Sequence, residues 1–178
     1  MELIAALSDL CSQHTRPVIA IDGPAGAGKT TLAQVIALAL AKDYSVQVFH
    51  MDDLYNGWDL ALSDELTSTL IDLTDSHATG APYKFKKYDW GKKELGAYEE
   101  ADSSSLLILE GVGSGQRAIR DRLTTLIWVD IAPEDGLLRV LKRDGEYIEA
   151  QMRKWLTAQS EHFASNSTQE ESEFILTN

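Results

Sequence analysis

Residues 17–31 read PVIAIDGPAGAGKTT. Pro17 to Asp22 is a short apolar run closed by a glycine-rich turn, the pattern of a buried strand. Gly23 to Thr30 then match G-x-x-x-x-G-K-[ST] at every fixed position. From Lys29 to Ala41 the chain is apolar nearly all round, the pattern of a well-buried helix. Strand, glycine turn and helix together form a phosphate cradle. Glycines let the backbone turn until its N–H groups face the phosphates. The helix N-terminus adds unpaired N–H groups and a partial positive charge. The expected nucleotide contacts are Gly23, Ala25, Gly26, Ala27, Gly28, Lys29, Thr30 and Thr31. Lys29 is expected to reach the β- and γ-phosphates, and the Thr30 hydroxyl to bind Mg²⁺.

Working outward, residues 2–12 carry Leu3, Ile4, Leu7 and Leu10 at helical spacing. Val46 to Met51, Leu106 to Leu109, Leu126 to Asp130 and Phe174 to Leu176 read as four more strands. Helical patterns fall between them, at 62–73, at 116–123, from Pro133 to about Arg143, and at 146–163. Pro133 suits a first helical turn. Strands alternating with helices imply crossover connections and a parallel sheet covered on both faces. The expected fold is therefore a single α/β domain over residues 1–178, a three-layer α/β/α P-loop fold with a five-stranded parallel sheet. Residues 74–104 have weak periodicity and are expected to be an insert carrying the acceptor pocket. Residues 164–172 read as a polar linker.

The 178 residues carry a formal net charge of -12. That argues against a nucleic-acid partner, whose footprint is basic, and against docking on an anionic membrane. Twelve of the 16 cations fall at Lys29, Lys84–Lys93, Arg117–Arg122 and Arg139–Arg143. An acidic protein that handles an anionic ligand concentrates its cations in this way, although surface charges often do nothing specific. The single cysteine, Cys11, excludes an intrachain disulfide and reads as a small buried hydrophobe. No apolar run reaches a membrane span of about 20 residues. No basic region followed by an apolar stretch opens the chain, so the cytoplasm is the expected location.

The phosphate loop alone does not name a reaction. No N-K-x-D segment is present for a signalling GTPase, and Gly113-Ser-Gly-Gln116 follows Glu110 instead of preceding it, against an ABC-type ATPase. A small-molecule kinase needs a carboxylate at the acceptor hydroxyl, and His50-Met-Asp52-Asp53-Leu-Tyr55 follows the second strand, where ligands of open α/β sheets bind. One aspartate is expected to take the hydroxyl proton and the other to hold Mg²⁺ through water. Glu110, closing the run LLIL, is the expected second acidic group on Mg²⁺. Arg139 and Arg143, four apart on one helix face, are expected to close over the transferring phosphoryl. Tyr55, Trp58, Tyr83, Phe85, Tyr88 and Trp90 crowd the acceptor side. They fit equally a stacking pocket and packing of the insert onto the core. Trp128 and Trp155 read as core or helix packing.

PVIAIDGPAGAGKTTLA, MDDLYNGWD, YDW, LLILEGVGSG and RVLKRDGE resemble, in order, the motifs of the uridine kinase and phosphoribulokinase group, over residues 17–145. The resemblance implies strand order 2-3-1-4-5 and ATP with Mg²⁺. It makes Asp52 the catalytic base, joining Lys29, Arg139 and Arg143 on the phosphates and Thr30, Glu110 and Asp53 near the metal, which the residue chemistry assigns. It sets Asp59 at the ribose hydroxyls and Tyr88 in the nucleoside pocket, with Tyr55 in the motif beside Asp52, whereas Arg117, Arg120 and Arg122, after the glycine-rich turn, are expected either to bind phosphate at the acceptor side or simply to be exposed. Lys93 stands where uridine kinases carry a base-contacting histidine. The expected activity is transfer of the γ-phosphoryl of ATP to a small-molecule hydroxyl, with a nucleoside as the first reading. A sugar phosphate or organic acid, greeted by the lysines of 84–93, and a nucleotide-binding regulator or NTPase without phosphotransfer are the alternatives. ATP and the small acceptor are the expected partners, and a homo-oligomer is left open.

Overall fold

The structure is a computed structural model describing residues 2–177. Its chain order is α1 (Glu2–Ser12), β1 (Val18–Asp22), α2 (Lys29–Leu40), β2 (Val46–His50) and α3 (Met51–Leu54), then α4 (Asp64–Thr79), β3 (Tyr83–Asp89) and β4 (Glu94–Ala101). There follow β5 (Leu106–Glu110), β6 (Thr125–Asp130), α5 (Pro133–Asp144), α6 (Glu149–Asn166) and β7 (Phe174–Thr177), with 3-10 turns at Arg117–Arg122 and Glu146–Ile148.

Five strands form one parallel sheet in the order β2-β5-β1-β6-β7. Counted among the sheet strands alone, this is the expected 2-3-1-4-5. The central strands β1 and β5 are buried at every position, so both faces must be covered. Alternate side chains divide between two cores. Leu106 and Ile108 join Leu7, Cys11, Ile36 and Leu40 on the face covered by α1 and α2. Leu107 and Leu109 join Leu66, Leu70, Leu137, Met152 and Trp155 on the opposite face. Cys11 is wholly buried, and burial pushes its thiol up to about 11, so it is an inert core residue.

The insert differs from its expected form. Helix α4 runs on to Thr79 and stops at Gly80, whose φ of 72° suits a glycine end. The remainder is an antiparallel hairpin, β3 with β4. Its alternation was hidden by a register shift between Lys86 and Tyr88. The extra residue of such a bulge keeps Tyr83, Phe85 and Tyr88 inward while the lysines face out. Helix α6 likewise extends to Asn166, shortening the expected polar linker. No helix among the described residues is long and apolar enough to cross a membrane.

The phosphate loop and α5 meet backbone to backbone. A Cβ on Gly26 would stand 2.3 Å from the Gly136 carbonyl oxygen, and one on Gly136 would stand 2.4 Å from that of Ala25. Only glycine at both positions lets the loop touch the first turns of α5. Gly136→Ala is therefore expected to push α5 off the loop. The urea midpoint should fall by the equivalent of about 1–3 kcal/mol, with weaker nucleotide binding in a fluorescence titration. A variant matching wild type in both would show that the contact yields freely.

Candidate active site

The parallel register brings three strand ends to one edge. His50 of β2 and Ile21 of β1 both lie opposite Glu110 of β5. Asp52 follows β2 by two residues, and Lys29 opens α2 directly after the loop that leaves β1. Around this edge lies a cleft of about 510 Å³. Ala25, Gly26, Gly28, Lys29, Thr30, Thr31, Asp52, Tyr55, Glu110, Arg139 and Arg143 line it, all of them expected site residues.

Lys29 is buried, and its ammonium donates to the carbonyls of Gly23 at 2.7 Å and Pro24 at 2.8 Å. An ammonium has three N–H donors, so one is left for an anion. Burial pushes its pKa below the ordinary lysine value, and the carboxylates of Asp22, Glu110 and Asp52 work against that. The Asp52 side chain is open to the cleft, and desolvation by the protein crowded around it raises its carboxyl, while Lys29 opposes the rise and nearby Glu110 adds to it. A raised carboxyl is a better proton acceptor.

The Thr30 hydroxyl donates to Glu110 Oε1 at 3.1 Å, and His50 Nδ1 meets the same oxygen. Mg²⁺ takes a few hard protein oxygens and completes its shell with phosphate and water. A hydroxyl and a carboxylate side by side fit that demand. Among the described residues no group of three or more His, Cys, Asp or Glu forms an all-protein cage. The donor set thus suits a cation that arrives with a nucleotide.

Arg143 makes a two-point ion pair with its neighbour Asp144, at 2.7 and 2.6 Å, and Arg139 Nη1 stands 3.5 Å from the Gly26 carbonyl oxygen. Both arginines reach the cleft from α5, which ends at Gly145 with φ 105°.

Other expected site residues lie elsewhere. Asp53 forms an ion pair with Lys87 of the hairpin at 2.8 Å and is not in the cleft lining. Asp59 is exposed outside the lining, and Tyr88 packs against Trp90 with ring centres 4.9 Å apart. The Arg117 backbone N–H donates to Asn166 Oδ1 at 2.9 Å, away from the cleft. Arg120 binds the carbonyls of Gly115 and Asn166, and Arg122 pairs with Asp75 and Asp121. None of Lys84, Lys86, Lys87, Lys92 and Lys93 lines the cleft, and Lys84, Lys87 and Lys92 pair with acids.

The aromatic residues divide by role. Tyr83 and Phe85 pack on Phe49 and hold the hairpin to the core, whereas Tyr55, Trp58 and Trp90 line the cleft. Trp128 packs on Phe163 as expected, with ring centres 4.7 Å apart. Trp155 does more than pack: it lines the cleft with Ile148 and Met152, which the sequence reading missed. These three fall at i, i+4 and i+7, and Gln159 continues the stripe and accepts the Ala25 N–H at 3.1 Å. The sequence shows only a glutamine interrupting an apolar helical stripe, and its burial is seen in the structure alone.

Asp22 was also missed. It is fully buried at the end of β1 and accepts N–H bonds from Gly23, Gly113 and Gly115 at 2.8–3.2 Å. It therefore ties the phosphate loop to the turn after Glu110. Burial pushes its carboxyl up to about 6, against the pull of those amides and of Lys29.

No family model matches the chain. A uridine kinase of Lactobacillus johnsonii is 27% identical over 167 residues, covering 81% of this chain and 77% of the relative. A possible uridine kinase from Bacillus stearothermophilus has a similar structure, with TM-score 0.69, 19% identity and coverage of 99% and 100%. The D-glycerate 3-kinase of Cryptococcus neoformans aligns with TM-score 0.68 at 12% identity, covering 99% of this chain and 94% of that one. The structural likenesses show a shared fold. With the sequence relative, they relate this chain to the P-loop small-molecule kinases as a superfamily.

Asp22 gives a pH test. Its carboxyl ionises near 3.8 in an unfolded chain and near 6 in the folded one. Between those values the folded protein keeps a proton that the unfolded chain has lost. The Asp22 contribution to stability is thus full below about pH 4 and declines by at most about 3 kcal/mol as the pH rises to 6. Asp22→Asn stays neutral and lacks this term. In urea unfolding at stepped pH, the wild-type minus variant stability should decline across that window and then level off. A constant difference would mean an unshifted carboxyl.

Proposed function

We propose that this chain transfers the γ-phosphoryl group of ATP to a hydroxyl of a small molecule, and that the acceptor is a nucleoside. One arrangement carries the reading: the Asp52 carboxylate, the Lys29 ammonium and an aromatic recess share a single cleft. A phosphate loop alone serves many reactions. A carboxylate placed beside it, facing a recess with room for an organic ring, suits phosphoryl transfer to an alcohol.

The acceptor hydroxyl lies beside Asp52. As its oxygen attacks the γ-phosphorus, its proton passes to the Asp52 carboxylate and the bond from γ-phosphorus to the bridging oxygen breaks. Lys29 and the N–H groups at the start of α2 hold the phosphate oxygens through the transfer. Thr30 and Glu110 are the residues that would hold Mg²⁺, which when bound neutralises charge shared by the β- and γ-phosphates. Arg139 and Arg143 add positive charge from α5. The relative from Lactobacillus johnsonii is a uridine kinase, which supports the nucleoside reading. The lysines of the hairpin lie outside the cleft, which weakens the case for a sugar phosphate or an organic acid.

The test is ADP release from Mg-ATP with nucleosides, sugar phosphates and hydroxy acids, in wild type and Asp52→Asn. Nucleosides should stimulate release. The variant should lose about 10²–10⁴-fold of that stimulation, the usual worth of a general base, while still binding ATP. ATP binding without acceptor-dependent release, unchanged in the variant, would instead make the chain a nucleotide-binding regulator.

A further inference from the structure

Asp52 stands on α3, a helix of four residues and so little more than one turn. A helix that short holds its own shape weakly. Met51 and Leu54 fix one side of it in the core, while Asp52 is exposed and Asp53 half-buried. The direction of the Asp52 carboxylate therefore depends on what grips the outer side of α3. The hairpin of β3 and β4 grips it twice.

Lys87 of β3 donates to Asp53 Oδ2 at 2.8 Å. That bond holds the Lys87 ammonium above the ordinary lysine range, so the pair is charged at neutral pH. Trp90, one residue past β3, donates its indole N–H to the Asp52 carbonyl at 3.0 Å. An ion pair as exposed as this one adds little to stability. Its effect is on geometry, because the two contacts hold adjacent residues of α3 from one side.

The hairpin is shaped to present both groups. At the irregularity between Lys86 and Tyr88 the neighbouring lysines part. Lys86 stays over the ring of its cross-strand partner Tyr98, 4.8 Å from the centre, while Lys87 turns to Asp53. Gly96 gives this point room, since a Cβ there would stand 3.1 Å from the Lys87 carbonyl oxygen. Trp90 packs on both Tyr88 and Trp58, with ring centres 4.9 and 5.2 Å away, which sets the direction of its N–H. Tyr83 and Phe85 fasten the other end of β3 to Phe49, on the strand that leads into α3.

We propose that the hairpin positions the Asp52 carboxylate, with Lys87 and Asp53 as the positioning pair and the Trp90 N–H as a second hold. This rests on the phosphotransfer reading and adds the residues that keep its proton acceptor in line. Asp53 is then an anchor and not the metal-side acid expected of it. Neither Lys87 nor Asp53 lines the cleft, so their loss acts through Asp52 and is felt in turnover more than in binding.

Two measurements on the full chain separate positioning from packing. Amide hydrogen exchange reads the hold on residues 51–55, with β6 as the reference for the rest of the fold. ADP release from Mg-ATP reads kcat and KM, with uridine or whichever other nucleoside, sugar phosphate or hydroxy acid stimulates release most. In Lys87→Met, amides 51–55 should exchange about two- to fivefold faster, the protection a partly exposed ion pair supplies, and β6 should be unchanged. There kcat should fall about five- to a hundredfold, the upper figure being the cost of a misplacement of about 1 Å, with KM within about twofold of wild type. Asp53→Asn should behave alike, and the double variant should be no worse than either single one, because all three remove the same contact. Lys87→Arg should recover most of the loss. Trp90→Phe keeps a ring without the N–H, and it too should speed exchange at 51–55.

Wild-type exchange at 51–55 in both Lys87→Met and Asp53→Asn overturns the proposal. Faster exchange with unchanged kcat overturns it as well, since the hairpin would then only pack on α3. So does a rise in KM at constant kcat, or a double variant whose loss is the product of the two single losses. If no acceptor stimulates ADP release from wild type, the phosphotransfer reading has failed and exchange alone decides. Faster exchange at 51–55 then upholds the hold on Asp52, and unchanged exchange overturns it.

Discussion

Lys29 is a cation buried among three carboxylates, and each carboxylate comes from the end of a different strand. Asp22 closes β1, Glu110 closes β5 and Asp52 follows β2. A buried charge is costly unless opposite charges and hydrogen bonds surround it. Those partners are available only because β2, β5 and β1 are neighbours, all parallel, with their carboxyl ends on one edge. Antiparallel placement of any one strand would carry its acid to the far edge. Sheet order, loop shape and the electrostatics of the site are in this sense one constraint.

The same ammonium couples the acids to one another. Lys29 pulls the Asp22 and Asp52 carboxyls down, while burial pushes Asp22 up and desolvation at the cleft wall pushes Asp52 up. A phosphate entering the cleft would compete for the lysine and so weaken that pull. Asp52 would then become more basic, which suits the proton-accepting role proposed for it. Asp22, by contrast, is occupied by three backbone amides and serves the architecture by joining the phosphate loop to the turn after β5.

Around this charged centre the chain spends apolar surface on holding elements in place. Glycines at positions 26 and 136 let the loop and α5 meet backbone to backbone. Phe49 receives Tyr83 and Phe85, so that the exposed hairpin is anchored at its base. The Lys87–Asp53 ion pair and the Trp90–Asp52 hydrogen bond tie the hairpin to the segment carrying the proposed base. Hairpin and proposed base are thus mechanically joined, although Trp90 and Asp52 stand 38 positions apart along the chain.

Much of this was readable from consecutive residues. The phosphate loop, the five strands, the acid after β2 and the acid ending β5 all have local signatures: a glycine spacing, an apolar run, a carboxylate at its end. The parallel arrangement follows from strands alternating with helices, because crossover connections allow little else. The hairpin was not readable, because its bulge breaks the two-residue alternation that marks a strand.

The roles of Trp155 and Asp22 were not readable either, for a more general reason. Ile148, Met152 and Trp155 have the same helical spacing whether their face meets a core or a ligand, and an aspartate closing a strand looks the same whether it meets water or backbone amides. By itself the sequence determined the phosphate-loop motif and the five sheet strands alternating with helices, since those depend on neighbours along the chain. Only the tertiary structure decided which aromatic rings line the cleft and which cations stand away from it, since those depend on neighbours in space.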